Sequence, residues 1–270
     1  MSAFSRIAQW PANNVAAVLL HGDDVVSQIG DPRRVFALAS VTKPIVAYAI
    51  MLAVEEGAVE LDQPAGPTGS TLRHLLAHAS GIGFDSRVPL KPVGKRRIYS
   101  SAGYEWAAEV VAEATGMSFP EYLREGVCKP LGMRHTSLSG SAGHGMYSTA
   151  SDLVAFAREV LSPQLLHPSS VREMCSVQFP GIRGIVPGYG SFKDCTWGLG
   201  FEIHGHKDHW MGDLPDSAVG HFGMSGTYLW LAENWAMVAL SDHDFGDWAK
   251  PLWAETNTAI WQECTDQAGA

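Results

Sequence analysis

Eleven consecutive residues, Pro44 to Val54, carry no charge and nothing more polar than the phenol of Tyr48; they follow Ser40-Val41-Thr42-Lys43 and end at Glu55-Glu56-Gly57. A helix built from them has no polar face to turn to water, so it must lie inside a core with other elements packed around it. The stretch is far short of the roughly 20 apolar residues that cross a bilayer, and no membrane span is expected. The chain therefore has to fold around this segment, and 270 residues suffice for one large domain or two modest ones.

On the N-terminal side, Val15 to Leu20 and Val25 to Ile29 read as two strands joined by Gly22-Asp23-Asp24, with Gly30-Asp31-Pro32 ending the second. Between Leu61 and about Pro187 strand signals give way to helical ones. Ser70 and Thr71 precede Leu72, Leu75 and Leu76; Ala107, Val110, Val111 and Ala114 lead to Gly116; Ser118 with Glu121 forms a capping-box pattern; and Thr149 with Asp152 opens a segment carrying Leu153, Phe156 and Val160. Strand patterns return at Gly198–Ile203, Val219–Phe222, Thr227–Ala232 and Ala236–Leu240, before a final helix from about Trp248 to Glu263. Strands at both ends around a helical middle imply an α/β (α+β) fold, with one antiparallel sheet assembled from the two termini and flanked by helices. The expected division is 1–62 with 190–270 as the sheet domain and 63–189 as the helical domain.

Ser40 and Lys43 stand three apart at a helix start, a spacing that places a hydroxyl and an amine on one face. Burial and the positive end of the helix dipole both disfavour an ammonium there, and a neutral amine can take the hydroxyl's proton. Taken alone the pattern also fits a Ser cap followed by a Lys whose stem snorkels to water. Tyr99, in Tyr99-Ser100-Ser101 before the helix near Ala102, is a phenol whose pKa a neighbouring Lys charge would depress, readying it for proton transfer. His221-Phe222-Gly223-Met224 with Ser225-Gly226-Thr227 is a Gly-rich strand end that a substrate could approach closely.

Six blocks occur in order: Ser40-Val41-Thr42-Lys43-Pro44; Leu75-Leu76-Ala77-His78-Ala79-Ser80-Gly81; Tyr99-Ser100-Ser101-Ala102-Gly103-Tyr104; Pro130-Leu131-Gly132-Met133 with Thr136; Ser148-Thr149-Ala150-Ser151-Asp152-Leu153; and His221-Phe222-Gly223 with Ser225-Gly226-Thr227. Together they resemble the β-lactamase-related serine hydrolases, which include class C β-lactamases, D-alanyl-D-alanine carboxypeptidases, esterases and penicillin-binding-protein-like relatives. The resemblance implies a β-lactamase/transpeptidase-like fold with the active site between sheet and helical domains. It implies Ser40 as acylated nucleophile, Lys43 as proton acceptor, and Tyr99 as the group that moves protons to the leaving group and from water. Ser101, His221, Gly223 and Met224 would contact substrate, with the N–H groups of Ser40 and Met224 as oxyanion hole. No cofactor is implied.

Two positions depart from the family pattern. Ser101 stands where Asn is common and is too short to reach Lys43 as far, and Phe222 removes a hydroxyl that would hold a carboxylate. Both shift the expectation towards an ester or small amide and away from peptides and β-lactams. The alternative is a non-catalytic penicillin-binding-like protein with a degenerate site.

Other classes recede on direct grounds. Lys plus Arg number 19 against 28 Asp plus Glu, a net charge of −9, so nucleic acid is not an expected partner. No Gly-x-Ser-x-Gly elbow occurs. Cys128, Cys175, Cys195 and Cys264 form no close pair and read as buried free thiols. His204-Gly205-His206-Lys207-Asp208-His209 could chelate a metal but lacks a second half-site, and is expected as a solvated loop with no metal. Residues 1–14 lack the apolar stretch of a secretory signal, from which a cytoplasmic chain is expected.

Overall fold

The computed structural model describes residues 2–268; Met1, Gly269 and Ala270, with which the expected domain ranges begin and end, lie outside them. After a 3-10 segment at Ala3–Gln9 come β1 (Val15–His21), β2 (Asp24–Ile29), β3 (Val35–Ala37), α1 (Thr42–Glu55), α2 (Leu72–Leu76), α3 (Ser101–Thr115) and α4 (Phe119–Leu123). Next are β4 (Ser137–Leu138), β5 (Met146–Thr149), α5 (Ala150–Leu161), α6 (Pro168–Met174), β6 (Gly184–Val186) and β7 (Gly190–Phe192). The chain closes with β8 (Glu202–Ile203), β9 (Val219–Gly223), β10 (Thr227–Ala232), β11 (Trp235–Ser241) and α7 (Ala249–Ala268).

Six strands form an antiparallel sheet in the order β2-β1-β11-β10-β9-β8, so the two ends of the chain meet at the β1–β11 pair, as expected. Alternate residues face opposite ways along a strand. Val18 and Leu20 of β1 with Leu229 of β10 and Val238 of β11 therefore enter one core, and Ala17, Leu19, Trp230 and Met237 the other. The first core holds α1, α3 and α5; the second holds Phe4, Ile7 and the Trp253 and Ile260 side chains of α7. Every residue of α1 from Thr42 to Ala53 is buried, which accounts for its apolar run.

Several local expectations are corrected. The Ser118 side chain makes no capping hydrogen bond, whereas Thr149 Oγ1 accepts from the Asp152 N–H at 3.1 Å as anticipated. At α2 the ring of His74 takes the place of a capping carboxylate, accepting from the Thr71 N–H at 3.3 Å. The strand expected over Gly198–Ile203 shrinks to Glu202–Ile203, because residues 198–201 bend against α1 and α6. The middle of the chain also holds short strands, β3 to β7, too brief to show an alternation. Cys128, Cys195 and Cys264 are buried free thiols, but Cys175 is half-buried.

The histidine-rich segment is the largest correction: His204, Lys207 and His209 are buried, and only the neighbours Gly205, His206 and Asp208 lie nearer the surface. Glu202, fully buried, explains this. Its carboxylate accepts from His209 Nε2 and Trp210 Nε1, both at 2.9 Å, and faces Lys207 Nζ at 3.6 Å. Burial pushes the carboxyl pKa up, yet the His209 and Lys207 charges and the hydrogen bonds outweigh it and bring it to about 2. Glu202 pairs with Gly220 across β8–β9, one residue before His221, so the cluster braces the strand that carries the site. Glu202→Gln, which leaves Lys207 buried without its counter-charge, is expected to lower unfolding free energy by about 3 kcal/mol in denaturant titrations.

Candidate active site

Ser40 lies in a single 3-10 turn, Ala39–Val41, directly before α1. Ala39 adopts φ 43°, a left-handed conformation that costs a non-glycine residue energy and is held by its surroundings. Those surroundings are the β9–β10 turn: Ser225 Oγ donates to the Ala37 carbonyl at 2.6 Å and Thr227 Oγ1 to the Leu38 carbonyl at 3.0 Å. Gly223 permits the contact, since a Cβ there would lie 2.3 Å from the Leu38 oxygen. The turn that carries Ser40 is thus stitched to the strand end that carries His221, Gly223 and Met224. Among the described residues the Met224 N–H has no acceptor, which leaves it free for an oxyanion.

Lys43 has no exposure to water. Its Nζ lies 2.8 Å from the Gly143 carbonyl, 3.2 Å from Ser101 Oγ and 3.3 Å from Ser40 Oγ. Burial holds its pKa well below the ordinary lysine value, with the half-buried Glu105 opposing in part. A neutral amine has two hydrogens and one lone pair. The Gly143 carbonyl can only accept, so it takes one hydrogen of the amine, and the Ser101 and Ser40 hydroxyls complete its contacts.

Ser101 does reach Lys43, contrary to the expectation from its length. The reason is the loop between β4 and β5, which no sequence pattern linked to the site. Its Gly143 sits so close that an added Cβ would lie 2.6 Å from Ser101 Cβ, and its carbonyl accepts from Lys43 Nζ beside the Ser101 hydroxyl. Ser141 fixes the loop: its hydroxyl donates to Glu105, and its Oγ accepts from the Gly143 N–H at 3.1 Å.

Tyr99 is gripped by aromatic groups. Its ring lies 4.5 Å from His78, 5.7 Å from Trp197 and 6.0 Å from Phe84 between centroids, and Lys43 Nζ stands 4.4 Å from its ring centre. The expected depression of its pKa is reversed: burial pushes the phenol up, and the adjacent Ser40 hydroxyl offsets this only in part.

His221 lines the same cleft. Its Nδ1 lies 2.8 Å from the Phe222 carbonyl, which can only accept, so Nδ1 carries the proton and Nε2 is the acceptor. Nε2 then receives the Tyr99 hydroxyl at 3.4 Å. Burial, with Lys43 second, lowers the imidazole pKa to about 3. His78 is buried and neutral for the same first reason, its Nδ1 accepting the Ser100 N–H at 3.1 Å.

These residues border a cleft of about 230 Å³ lined by Ser40, Phe84, Tyr99, Pro187, Trp197, His221, Phe222 and Met224. Arg97 is nearby but buried, donating to the carbonyls of Ala77, Gln178, Phe179 and Cys195, so it ties loops together and presents no charge to the cleft. Among the described residues no group of three or more His, Cys, Asp or Glu side chains is placed to hold a metal ion. No helix among them is long and apolar enough to cross a membrane.

A family model described as Beta-lactamase matches residues 8–256. Among solved structures, a β-lactamase from Mycobacterium bovis is 45% identical at a TM-score of 0.95, covering 97% of this chain and 99% of that one. A class C β-lactamase from Rhodobacter sphaeroides shares the fold at 17% identity and a TM-score of 0.75, over 97% and 98% of the two chains. Among curated proteins, penicillin-binding protein 4* of Bacillus subtilis is 28% identical over 134 residues, 37% of this chain and 30% of that protein. Esterase EstB of Burkholderia gladioli is 37% identical over 95 residues, 26% of this chain and 24% of that protein. The matched part of this chain thus spans less than a third of either curated relative.

The two histidines give stability a pH dependence of defined sign. Unfolded, each titrates near ~6.5; folded, His221 stays neutral down to about 3. Below the unfolded value the unfolded state binds more protons, so stability falls with pH, by at most about 1.4 kcal/mol per unit for each histidine. Denaturant unfolding at pH 7, 6 and 5 is expected to show His221→Gln losing less stability than the wild type over that interval; parallel curves would contradict it.

Proposed function

The chain belongs to the β-lactamase family, serine hydrolases of β-lactamase, esterase and penicillin-binding type, and on that footing we propose that it cleaves carboxylic esters through an acyl-enzyme on Ser40. The reading rests on one observation: the cleft at Ser40 contains no charged side chain. Its lining is Phe84, Pro187, Trp197, Phe222 and Met224 around Ser40, Tyr99 and a neutral His221. A substrate whose recognition needs a carboxylate beside the scissile bond finds no cation and no Phe222 hydroxyl there. An uncharged ester finds apolar walls and a few placed polar groups, as small-molecule sites commonly offer.

The proposed steps follow from the protonation states. Ser40 Oγ attacks the ester carbon as its proton passes to the Lys43 lone pair, and the carbonyl oxygen gathers charge against the Ser40 and Met224 N–H groups. The C–O bond then breaks, and the leaving oxygen takes the Tyr99 proton. Tyr99 is suited to this because burial keeps it protonated beforehand, while the new ammonium on Lys43 stabilises the phenolate afterwards. In deacylation, water gives a proton to Tyr99 and attacks the acyl carbon, the bond from that carbon to Ser40 Oγ breaks to release the acid, and Ser40 recovers its own proton from Lys43. His221 orients the Tyr99 hydroxyl, and Ser101 with Gly143 O aims the amine.

Intact-mass spectrometry after fluorophosphonate treatment is expected to show one adduct on Ser40, absent in Ser40→Ala. Turnover of p-nitrophenyl butyrate is expected to exceed that of a D-alanyl-D-alanine peptide and of a penicillin, and to fall roughly a thousandfold or more in Ser40→Ala. Preference for the peptide or the penicillin would overturn the ester assignment. No adduct and no turnover would favour the non-catalytic reading.

A further inference from the structure

The cleft at Ser40 does not stop at Phe84 and Tyr99. A second hollow of about 450 Å³ shares Phe84, Tyr99 and Pro187 with it and continues over Leu90, Ile98 and Ile185, flanked by Lys91 and Arg96. Large apolar side chains stand in the open along it: Leu90 is 60% exposed, Phe84 53% and Ile185 48%. Solvated apolar groups lined up in one channel mark a place where something apolar is meant to lie. Lys91 and Arg96 do not spoil this character, since their aliphatic stems can cover apolar surface while the charges stay in water.

The channel is preformed. The Phe84 carbonyl accepts the N–H groups of Ser101 and Ala102 at the start of α3, at 2.8 and 3.0 Å, which fixes Phe84 above Tyr99. The Leu90 N–H donates to the Gly81 carbonyl at 2.8 Å, the Ile98 N–H to the His78 carbonyl at 2.9 Å, and the Arg97 N–H to the Arg183 carbonyl at 2.9 Å, one residue before β6. Both walls are thus bonded to the segments that hold the site, and an extended chain can leave Ser40 across the Tyr99–Phe84 stack without rearrangement.

We propose that this channel binds an elongated, unbranched hydrocarbon arm of the ester cleaved at Ser40, so that the enzyme selects medium-chain over short-chain esters. The inference rests on the ester-hydrolase reading and adds a substrate class to it. The hydrocarbon can be the acyl arm or the alcohol arm, and two substrate series separate them: ethyl alkanoates and alkyl acetates, each from two to ten carbons in the varied arm. In one series kcat/KM is expected to climb by about two- to fourfold per methylene, the upper limit being full burial, until the channel is filled. Leu90→Glu and Ile185→Glu, both at exposed positions, are expected to cut the ratio of long-chain to short-chain kcat/KM by tenfold or more.

A binding measurement keeps this separate from catalysis. Calorimetric titration of decanamide into Ser40→Ala is expected to show binding that Leu90→Glu weakens at least tenfold. Such binding without ester turnover in the wild type would uphold the channel and overturn the hydrolase reading. Ester turnover indifferent to chain length, with decanamide binding absent or untouched by Leu90→Glu, would overturn the channel and leave the hydrolase standing.

Discussion

A lysine amine sealed from water beside a serine hydroxyl is the constraint on which the site depends. Lys43 stays buried because α1 is packed on all sides, and α1 is packed on all sides because nothing between Pro44 and Val54 can face solvent. That environment penalises the ammonium form, and the amine is held in place by hydrogen bonds to Gly143 O and Ser101 Oγ. Core packing and the amine's protonation are one arrangement here: loosening α1 would hydrate the amine and raise its pKa.

The same low polarity governs the rest of the cleft. It keeps Tyr99 protonated and His221 neutral. In the proposed reaction, charge arises only as the steps proceed, on Lys43, on Tyr99 and at the oxyanion. Charged groups lie elsewhere: Glu202 faces Lys207 and hydrogen-bonds His209 behind β9, and the Arg97 guanidinium donates to backbone carbonyls.

The parts of this arrangement that depend on short spacing were legible in the sequence. Ser40 and Lys43 are one helical turn apart, and the strands at the two ends show clean alternation or continuous apolar runs, so the hydroxyl–amine pair and the sheet follow from periodicity. Contacts between distant loops were not. Gly143 is 100 residues from Lys43, and a glycine in a Ser/Gly loop carries no mark that its carbonyl will meet an amine. The His204–His209 segment reads as solvated because nothing in the strand pattern at Gly198–Ile203 marks Glu202 as a buried partner for it. The Tyr99 phenol was misjudged because its pKa depends on whether the neighbouring lysine is charged, and that depends on burial.

The protonation state of Lys43 can be read directly. In protein labelled with 13C at lysine Cε, with Lys43→Met identifying the signal, the shift of Lys43 at pH 7 is expected to be that of a neutral amine, converting to the ammonium only as the pH is lowered. A Lys43 signal that stays that of an ammonium at pH 7 and titrates near 10, as an ordinary lysine does, would contradict the central claim.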